Sequence, residues 1–405
     1  MNFSLINELP RIFEGVSSFG QMDVQTVVIR LALIAVGLAL IYLSAKEILD
    51  PLILMPMGLA MALVNGAILT MDGRLTNLFV DPMLAKPDDV VNSMQIFFLQ
   101  PIYNLTFSNS LIACLVFMGI GVITDLDFLI ARPFTSILIA VAAELGSILT
   151  FPLAVLFGFT YKEAAAIAIV GGADGPMVLF TSLELAKDLF VPIAVVAYVY
   201  LSITYAVYPY MIKLLVPKRM QGIVMDLRSI PKVSSRQKLA FAVLAGTVLS
   251  LLLPVAAPLF ASFFIGVMVK EANIPRYRKF LDEVVLTGSS FFLGFVLGAL
   301  LSVSVVTDPR IVYILILGMI ALLLSGIGGL IAGVIAYWLS GGKTNPLVGI
   351  AGVSCVPTTA KVAQKCAFAV NKKAIILPFA MGPNVAGVIT TAIIAGIYVG
   401  LLRGA

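Results

Sequence analysis

The sequence predicts an all-α polytopic membrane protein, with about ten transmembrane helices and two broken or re-entrant segments in two inverted repeats. Three observations support this fold class: an apolar composition, repeated long apolar stretches, and two apolar stretches that glycine, proline and polar residues interrupt. Of the 405 residues, 60% are hydrophobic and 12% are charged, and the mean hydropathy is +1.08. A soluble domain could not cover its surface with so few polar residues.

Ten apolar runs are long enough to cross a hydrocarbon layer about 30 Å thick as helices. Their approximate bounds are 24–45, 51–66, 108–124, 134–158, 189–212, 239–253, 255–270, 284–303, 311–339 and 374–402. Residues 1–23 mix charges with apolar side chains and predict an amphipathic lead-in at the membrane surface. Within the eighth run, the spacing Gly294-x-x-x-Gly298 predicts close helix packing.

Two further apolar segments, 163–184 and 346–365, cannot form unbroken lipid-facing helices. The string Gly172-Ala-Asp-Gly-Pro176 interrupts the first segment, and Gly352-Val-Ser-Cys-Val-Pro357 interrupts the second. Such breaks free backbone groups, which must then be satisfied inside the protein or beside water. Both segments are therefore expected to be broken or re-entrant.

Similar features follow the same order in the two halves of the chain, which predicts a duplication. The boundaries are a first membrane repeat at 24–214, a linker at 215–238 and a second membrane repeat at 239–405. If each broken segment enters and leaves on one side, each half contains an odd number of full crossings. The second repeat is then inverted relative to the first.

The linker carries a concentration of positive charge that predicts its location. Between Lys213 and Lys238, seven basic residues stand against one acid, Asp226, and the whole chain has a net charge of +5. The positive-inside tendency places this linker in the cytoplasm, and a topology signal explains its charge better than nucleic-acid binding does. The absence of histidine and the spacing of the three cysteines exclude haem, most zinc chemistry and Ser-His catalysis.

Asp174 is the strongest candidate for an ion-binding residue, because it lies inside an apolar segment. A carboxylate at membrane depth is costly unless it is paired, protonated or hydrated, and it is by default a functional candidate. The neighbouring glycines allow the backbone to break and leave carbonyl oxygens free for a hard cation such as sodium. Alternatively, Asp174 only caps a helix that begins at Gly175-Pro176.

Glu144 is a second acid inside an apolar run. It could belong to a proton path, face an aqueous crevice or pair with a basic residue such as Arg30. Tyr198 and Tyr200 follow the Asp174 segment, and two positions on a helix point in roughly opposite directions. One of these tyrosines can therefore face the site, and packing in the bundle is the alternative for each.

The second half of the chain supplies neutral oxygen ligands near its own breaks. Asn345 opens the second broken segment, Ser354 and Lys361 follow, and Asn384 interrupts the last span within Gly382-Pro-Asn-Val-Ala-Gly387. Together with one carboxylate, the amide and hydroxyl oxygens could hold one or two sodium ions without excess charge. Each residue alone could instead bond a freed backbone group, but their corresponding places in two repeats predict an ion site at the midplane.

Three strings in combination resemble a known family. They are Gly-Gly-Ala-Asp-Gly-Pro at 171–176, Asn-Pro-Leu-Val-Gly at 345–349 with Ala-Gly-Val-Ser at 351–354, and Met-Gly-Pro-Asn-Val-Ala-Gly-Val-Ile at 381–389. They are similar to the β subunit of sodium-translocating biotin-dependent decarboxylases, which include the oxaloacetate, methylmalonyl-CoA and glutaconyl-CoA decarboxylases. In hydropathy the resemblance covers nearly the whole chain.

The resemblance implies an enzyme subunit that decarboxylates carboxybiotin, consumes a proton and drives sodium out of the cell. By motif position, Asp174 binds sodium and alternates between the ion and a proton. The remaining residues implied to line the sodium sites are Asn345, Gly349, Ser354 and Asn384.

The resemblance further implies that Tyr200 takes part in proton delivery and that Lys361 acts near the carboxybiotin carboxylate. Lys361 stands where the oxaloacetate members carry arginine, and it keeps the charge without the bidentate fork.

The implied partners are biotin carrier and carboxyltransferase subunits and a small membrane-anchored subunit, in an oligomeric complex. The implied location is the cytoplasmic membrane of a bacterium or archaeon, as a multi-pass protein in the lipid bilayer. The alternative is a sodium-coupled secondary transporter of organic anions, which would share inverted repeats and broken helices without needing biotin. The acyl substrate is chosen by a separate subunit, so this sequence does not specify it.

Overall fold

The computed structural model describes residues 13–71, 74–77, 99–229 and 232–404. Within these residues the regular structure is helical, except for one antiparallel hairpin formed by β1 (Ile68–Met71) and β2 (Arg74–Asn77). Six of the described helices are long and apolar enough to cross a membrane, and the number rises to eight if each of two bent helix pairs is one span. The chain is therefore a helical polytopic membrane protein. The hairpin was not predicted from hydropathy, although Asp72-Gly73 between its strands is a tight-turn signal.

The first half of the chain contains the following helices. They are α1 (Glu14–Phe19), α2 (Val24–Ala45), α3 (Pro51–Gly66), α4 (Leu99–Ile102, continued by a π-helix at Tyr103–Phe107), α5 (Leu111–Ile123), α6 (Asp127–Ala131), α7 (Pro133–Ala143), α8 (Leu145–Leu156), α9 (Tyr161–Ala168), α10 (Gly175–Leu185) and α11 (Phe190–Leu215), with 3₁₀ turns at Ile169–Gly172 and Lys187–Leu189.

The second half continues the numbering. Its helices are α12 (Lys218–Gln221), α13 (Ser235–Leu252), α14 (Ala257–Glu271), α15 (Pro275–Lys279, continued by a π-helix at Phe280–Leu286), α16 (Thr287–Leu300), α17 (Val303–Val306), α18 (Arg310–Leu339), α19 (Thr358–Val370) and α20 (Leu377–Leu402), with 3₁₀ turns at Leu227–Ser229, Pro254–Ala256 and Pro346–Gly352.

Polar residues fix where several of these helices begin. The carboxylate of Asp23 accepts a hydrogen bond from the Thr26 amide at 2.8 Å and caps α2. Thr160 and Ser234 begin capping boxes at the starts of α9 and α13. Because each cap satisfies amides that have no partner inside the helix, these helices have defined first residues.

The described helices form two compact units, and the first consists of the described residues within Met1–Asn109 together with Ser290–Ile311. In this unit α2 and α3 pack closely where two glycines meet. A Cβ atom added to Gly37 would lie 2.5 Å from the Gly58 carbonyl oxygen, and one added to Gly58 would lie 2.5 Å from the Gly37 carbonyl oxygen. Neither position has room for a side chain, so the small residues set the distance between the two helices.

The part of α16 in this unit packs against α3 through Gly294 and Gly298. An added Cβ atom would lie 2.2 Å from the Ile53 carbonyl oxygen at the first position and 2.0 Å from the Met57 carbonyl oxygen at the second. The Gly294-x-x-x-Gly298 spacing is therefore a packing motif, as predicted.

The second unit, Ser110–Ser289 with Val312–Ala405, contains both predicted broken segments. In the first, α9 passes into the 3₁₀ turn, Ala173 adopts a left-handed conformation with φ 56°, and α10 begins after Asp174. In the second, the chain forms the 3₁₀ turn Pro346–Gly352 and becomes α-helical only at Thr358. The predicted span 134–158 also departs from a continuous helix, because Glu144 separates α7 from α8.

Several polar contacts within the second unit join segments that are distant in sequence, among them the following four. Lys238 at the start of α13 forms an ion pair with Asp127 at 2.7 Å and lies 3.6 Å from Glu271 at the end of α14. The Asn345 amide donates to the Gln221 carbonyl at 2.9 Å. Arg403 forms an ion pair with Glu184 at 3.3 Å.

Candidate functional site

The two broken segments meet inside the second unit. Both the amide and the hydroxyl of Ser354 donate to the carbonyl oxygen of Gly172, at 3.1 and 2.6 Å. Gly172 ends the 3₁₀ turn before α10, and Ser354 follows the 3₁₀ turn that leads towards α19. This contact joins the breaks that the sequence predicted as corresponding parts of two repeats.

Asp174 lies beside this junction and is 3% exposed. Its Oδ1 atom accepts a hydrogen bond from the Met177 amide at 3.3 Å, so Asp174 caps α10. Helix capping was one of the two roles that the sequence predicted for this residue. Its Oδ2 atom is buried and has no hydrogen-bond partner within the described residues. A buried carboxylate oxygen without a donor is costly. This oxygen is therefore a position for a cation or a proton.

Glycines on both sides of Asp174 allow the chain to fold this closely. A Cβ atom at Gly172 would lie 2.3 Å from the Thr391 Cγ2 atom on α20, and one at Gly175 would lie 2.3 Å from the Tyr198 hydroxyl oxygen on α11. The glycines of the Gly-Gly-Ala-Asp-Gly-Pro string therefore allow a break in the helix and also leave room for side chains of two other helices.

Asn384 on α20 presents a second buried oxygen. Its Nδ2 atom lies 2.9 Å from the Ala351 carbonyl oxygen, 3.2 Å from the Val353 carbonyl oxygen and 3.0 Å from the Thr359 hydroxyl. These contacts orient the amide, since Nδ2 can donate and the carbonyls can only accept. The Oδ1 atom of Asn384 is buried and lacks a hydrogen-bond partner in the part of the chain that the structure describes.

A hydroxyl network connects Ser354 to Glu144. The Ser354 and Thr391 hydroxyl oxygens are 3.2 Å apart, and the Thr391 hydroxyl donates to Glu144 Oε1. The Ser147 hydroxyl donates to the other carboxylate oxygen at 2.6 Å, and Thr390 lies 3.4 Å from Oε1. Sequence reasoning identified Glu144 as a lone acid in an apolar run. It missed these hydroxyls, because serine and threonine in apolar helices commonly bond to their own backbone.

The tyrosines of α11 face different neighbours. The Tyr198 ring is buried, and its hydroxyl lies over Gly175 next to Asp174. The Tyr200 hydroxyl donates to the Leu315 carbonyl on α18 at 2.8 Å. The difference follows from helix geometry, since residues two apart point about 200° apart. The structure thus places Tyr198 at the Asp174 turn, and proton delivery by Tyr200 stays a prediction.

Asn345 and Gly349 lie on the 3₁₀ turn Pro346–Gly352 and its cap. The Asn345 Oδ1 atom accepts from the Leu347 amide at 3.0 Å, and Nδ2 donates to the carbonyls of Gln221 and Ile223. A Cβ atom at Gly349 would lie 2.1 Å from the Gly329 carbonyl oxygen on α18. Both residues hold the second break in place, and their predicted roles as sodium ligands remain predictions.

Lys361 is exposed on the first turn of α19, the helix that follows the second break. Its ammonium group is therefore available to an anion that approaches from outside the chain, as an interaction with a carboxylate requires. Its predicted catalytic and carboxybiotin-binding role stays a prediction.

The chemistry of this cluster suits a small hard cation. Its buried oxygens come from one carboxylate, one amide and several hydroxyls, and hard cations prefer oxygen ligands. No group of three or more histidine, cysteine, aspartate or glutamate side chains among the described residues could hold a metal ion. A monovalent cation needs fewer charged ligands than a divalent one, so sodium fits this donor set.

Comparison with known proteins agrees with this chemistry. The model of a family described as the Na⁺-transporting oxaloacetate decarboxylase beta subunit matches residues 29–402. A carboxybiotin decarboxylase of Malonomonas rubra is 49% identical over 98% of this chain and 99% of its own length.

Two further relatives are named for decarboxylases of different substrates. The methylmalonyl-CoA decarboxylase subunit beta of Veillonella parvula is 33% identical over 91% of this chain and 92% of its own. The oxaloacetate decarboxylase beta chain of Haemophilus ducreyi is 31% identical over 90% of this chain and 93% of its own.

Proposed function

The chain belongs to the family of Na⁺-transporting oxaloacetate decarboxylase beta subunits, and from this premise we propose that it decarboxylates carboxybiotin and couples that reaction to sodium export. The observation that carries the proposal is the buried Asp174 Oδ2 atom without a hydrogen-bond partner in the described residues. It lies where two broken segments join, and Ser354 and Asn384 supply further oxygens nearby. The substrate is carboxybiotin on a partner subunit, the transported ion is sodium, and a proton is consumed.

Asp174 couples the two processes because one carboxylate can bind either sodium or a proton, but not both at the same oxygen. Sodium bound on one side of the membrane is released on the other when a proton replaces it. Moving one charge against 100 mV costs about 2.3 kcal/mol, which decarboxylation must supply. The ligands are Asp174 with Asn345, Gly349, Ser354 and Asn384.

The reaction also needs a proton donor and an anchor for the substrate carboxylate. A tyrosine of α11 delivers the proton: motif position indicates Tyr200, whereas the position beside Asp174 supports Tyr198. Lys361 attracts the carboxybiotin carboxylate, because it is an exposed cation next to the second break.

Ten membrane crossings in two inverted repeats are part of this proposal. The six candidate spans account for six of the ten crossings. The apolar helices α3, α5, α11 and α13 would supply the other four. Two contacts join segments assigned to the cytoplasmic side: Lys238 with Asp127, and Asn345 with Gln221. A third contact, between Arg403 and Glu184, joins segments assigned to the outside. Alternating access around the breaks would then expose the ion to each side in turn.

The partners in this proposal are a biotin carrier, a carboxyltransferase and a small membrane-anchored subunit. The name beta subunit, carried by the family and by relatives, supports a complex of several chains. The complex lies in the cytoplasmic membrane of a bacterium or archaeon, with the basic linker inside.

The proposal is tested by decarboxylation of free carboxybiotin by the purified complex, titrated with sodium. The native chain is expected to release carbon dioxide faster as sodium is added, and Asp174→Asn is expected to abolish this stimulation. Asp188→Asn is the matched control, because Asp188 is an exposed aspartate beyond the far end of α10. Sodium-independent decarboxylation by the native complex, or none, would favour the sodium-coupled organic-anion transporter instead.

A further inference from the structure

Both ends of the second broken segment are held by the same part of the basic linker. Before the break, the Asn345 amide donates to the Gln221 carbonyl at 2.9 Å. After α19, the Asn371 amide donates to the Gly222 carbonyl at 2.8 Å. The segment therefore leaves the linker, reaches the proposed ion site at Ser354 and returns to the linker through α19.

α19 connects the proposed ion site with the linker, and it is amphipathic. Its 13 residues, Thr358–Val370, give it a length of about 20 Å. One face packs into the protein, where the buried residues include Val362, Ala363, Cys366 and Ala367. The opposite face is the part of α19 that a molecule from outside the chain can contact.

The exposed face of α19 carries positive charge along its length. Lys361, Lys365 and Ala369 are exposed and follow one another at intervals of four residues, which places them on one side of the helix. Phe368 is exposed beside them, and the Lys372 ammonium group lies 4.3 Å from the centre of its ring. We call these five residues the lysine face.

The lysine face is not suited to contact with lipid. A charged side chain in hydrocarbon costs several kcal/mol, and only lysines near the ends of a span can extend their charge to the membrane surface. Lys361 lies in the first turn of α19, at the opposite end from the linker. We therefore expect the lysine face to border water that is continuous with the cytoplasm.

We propose that carboxybiotin enters from the cytoplasm along the lysine face of α19, where Lys372 and Lys365 attract its carboxylate towards Lys361. A path lined by cations raises the local concentration of an anion. The apolar carbon chain of the substrate can pack against the exposed Phe368 ring. This inference rests on the proposed decarboxylation of carboxybiotin, and it adds Lys365 and Lys372 to that reaction as residues that guide the substrate.

Charged thiol reagents test the electrostatic field of this path without using the reaction. In a chain whose three native cysteines are replaced by serine, Ala369→Cys places a single thiol on the lysine face. An anionic and a cationic methanethiosulfonate of similar size are compared in the purified complex at low salt, each relative to its rate with a free thiol in solution. The anionic reagent is expected to react faster, and Lys365→Gln is expected to lower this preference at least about threefold. Lys279→Gln is the matched control, because Lys279 is exposed on another helix, α15.

Decarboxylation of free carboxybiotin by the purified complex tests whether the substrate uses the path. Lys365→Gln should raise the KM about fivefold with little change in kcat, which is the effect of one unit charge at a distance of about 4 Å in water. Lys365→Arg should retain the native KM because it keeps the charge, and Lys279→Gln should retain it because Lys279 lies outside the lysine face.

The two measurements distinguish failure of the path from failure of the proposed function. Equal rates for the two reagents at Ala369→Cys, or no reaction with either, would overturn the path along α19. Equal effects of Lys365→Gln and Lys279→Gln on the KM, or an unchanged KM in Lys365→Gln, would overturn it as well. A preference for the anionic reagent without any decarboxylation of carboxybiotin would instead contradict the proposed function itself, and with it carboxybiotin as the molecule that uses the path.

Discussion

In Asp174 and in Asn384, one polar side-chain atom forms hydrogen bonds that fix the side chain. The other is a buried oxygen without a hydrogen-bond partner in the described residues. In Asp174 one oxygen caps α10, and in Asn384 the amide nitrogen is held by two carbonyls and a hydroxyl. The fixed half of each side chain determines where the other oxygen lies. A cation that binds these oxygens therefore meets ligands that are already ordered, which lowers the entropic cost of binding.

The two tyrosines of α11 allow a direct test of which one delivers the proton. Tyr198→Phe is expected to slow sodium-stimulated decarboxylation at least about tenfold, since a positioned general acid contributes roughly 10² to 10⁴ in rate. Tyr200→Phe is expected to retain the rate within about twofold and to lower the free energy of unfolding by about 1 kcal/mol, through loss of its hydrogen bond to Leu315. Steady-state rates and thermal unfolding in detergent measure the two effects.

Each of these variants is the control for the other, because both remove one hydroxyl from the same helix. If Tyr200→Phe were the slow variant and Tyr198→Phe the fast one, the assignment from motif position would be correct and the assignment from proximity to Asp174 would be wrong.

Single residues differ in how well the sequence could identify them. Asp174 was identifiable because a carboxylate is rare in an apolar segment. The sequence did not show which of Tyr198 and Tyr200 faces Asp174, because that depends on the orientation of α11 about its own axis. The hydroxyl of Thr391 gave no sequence signal, since its importance depends on α20 packing against the first break.

At the scale of helices, packing is set by small residues that let backbones approach. On α16, Gly298→Ala places a Cβ atom 2.0 Å from the Met57 carbonyl oxygen, so the backbone must shift. We expect a loss of about 1–3 kcal/mol in the free energy of unfolding, as overpacking typically costs. Thermal unfolding of the purified chain in detergent measures the change.

Gly288→Ala is the matched control, because Gly288 lies on the same helix and an added Cβ atom there has no neighbour within 4 Å in the described residues. Alanine is about 1 kcal/mol more favourable than glycine inside a helix, so this variant should be as stable as the native chain or more so. Equal destabilisation by both variants would contradict the packing explanation, because the Cβ atom added at Gly288 meets no neighbour among the described residues.

The helical elements were more predictable than their interruptions. Long apolar runs predicted the major helices, and glycine and proline strings predicted both breaks in the second unit. The interruption at Glu144 was not predicted, because the run 134–158 is apolar on both sides of it, and Gly146 and Pro152 stand singly in that run rather than in a glycine-proline string. At this interruption the carboxylate is bound by the hydroxyls of Ser147 on α8 and Thr391 on α20.

For the molecule as a whole, contacts between distant segments test the orientation of the chain in the membrane. An inverted repeat places the linker and the loop before Asn345 on one side, and the C-terminus with the end of α10 on the other. The hydrogen bond from Asn345 to Gln221 and the ion pair of Arg403 with Glu184 join only segments assigned to the same side. Hydropathy alone could not supply this agreement, because it does not distinguish the two sides.

The orientation predicts which single cysteines react with a membrane-impermeant maleimide in intact cells. After Cys114, Cys355 and Cys366 are replaced by serine, Arg403→Cys and Asp188→Cys should be labelled from outside, because both native side chains are exposed beyond helix ends assigned to that side. Arg228→Cys, in the exposed basic linker, should react only after the cells are opened. Labelling of Arg228→Cys and Arg403→Cys from the same side would require an even number of crossings between them. The second repeat would then not be inverted, and alternating access around symmetric breaks would lose its structural basis.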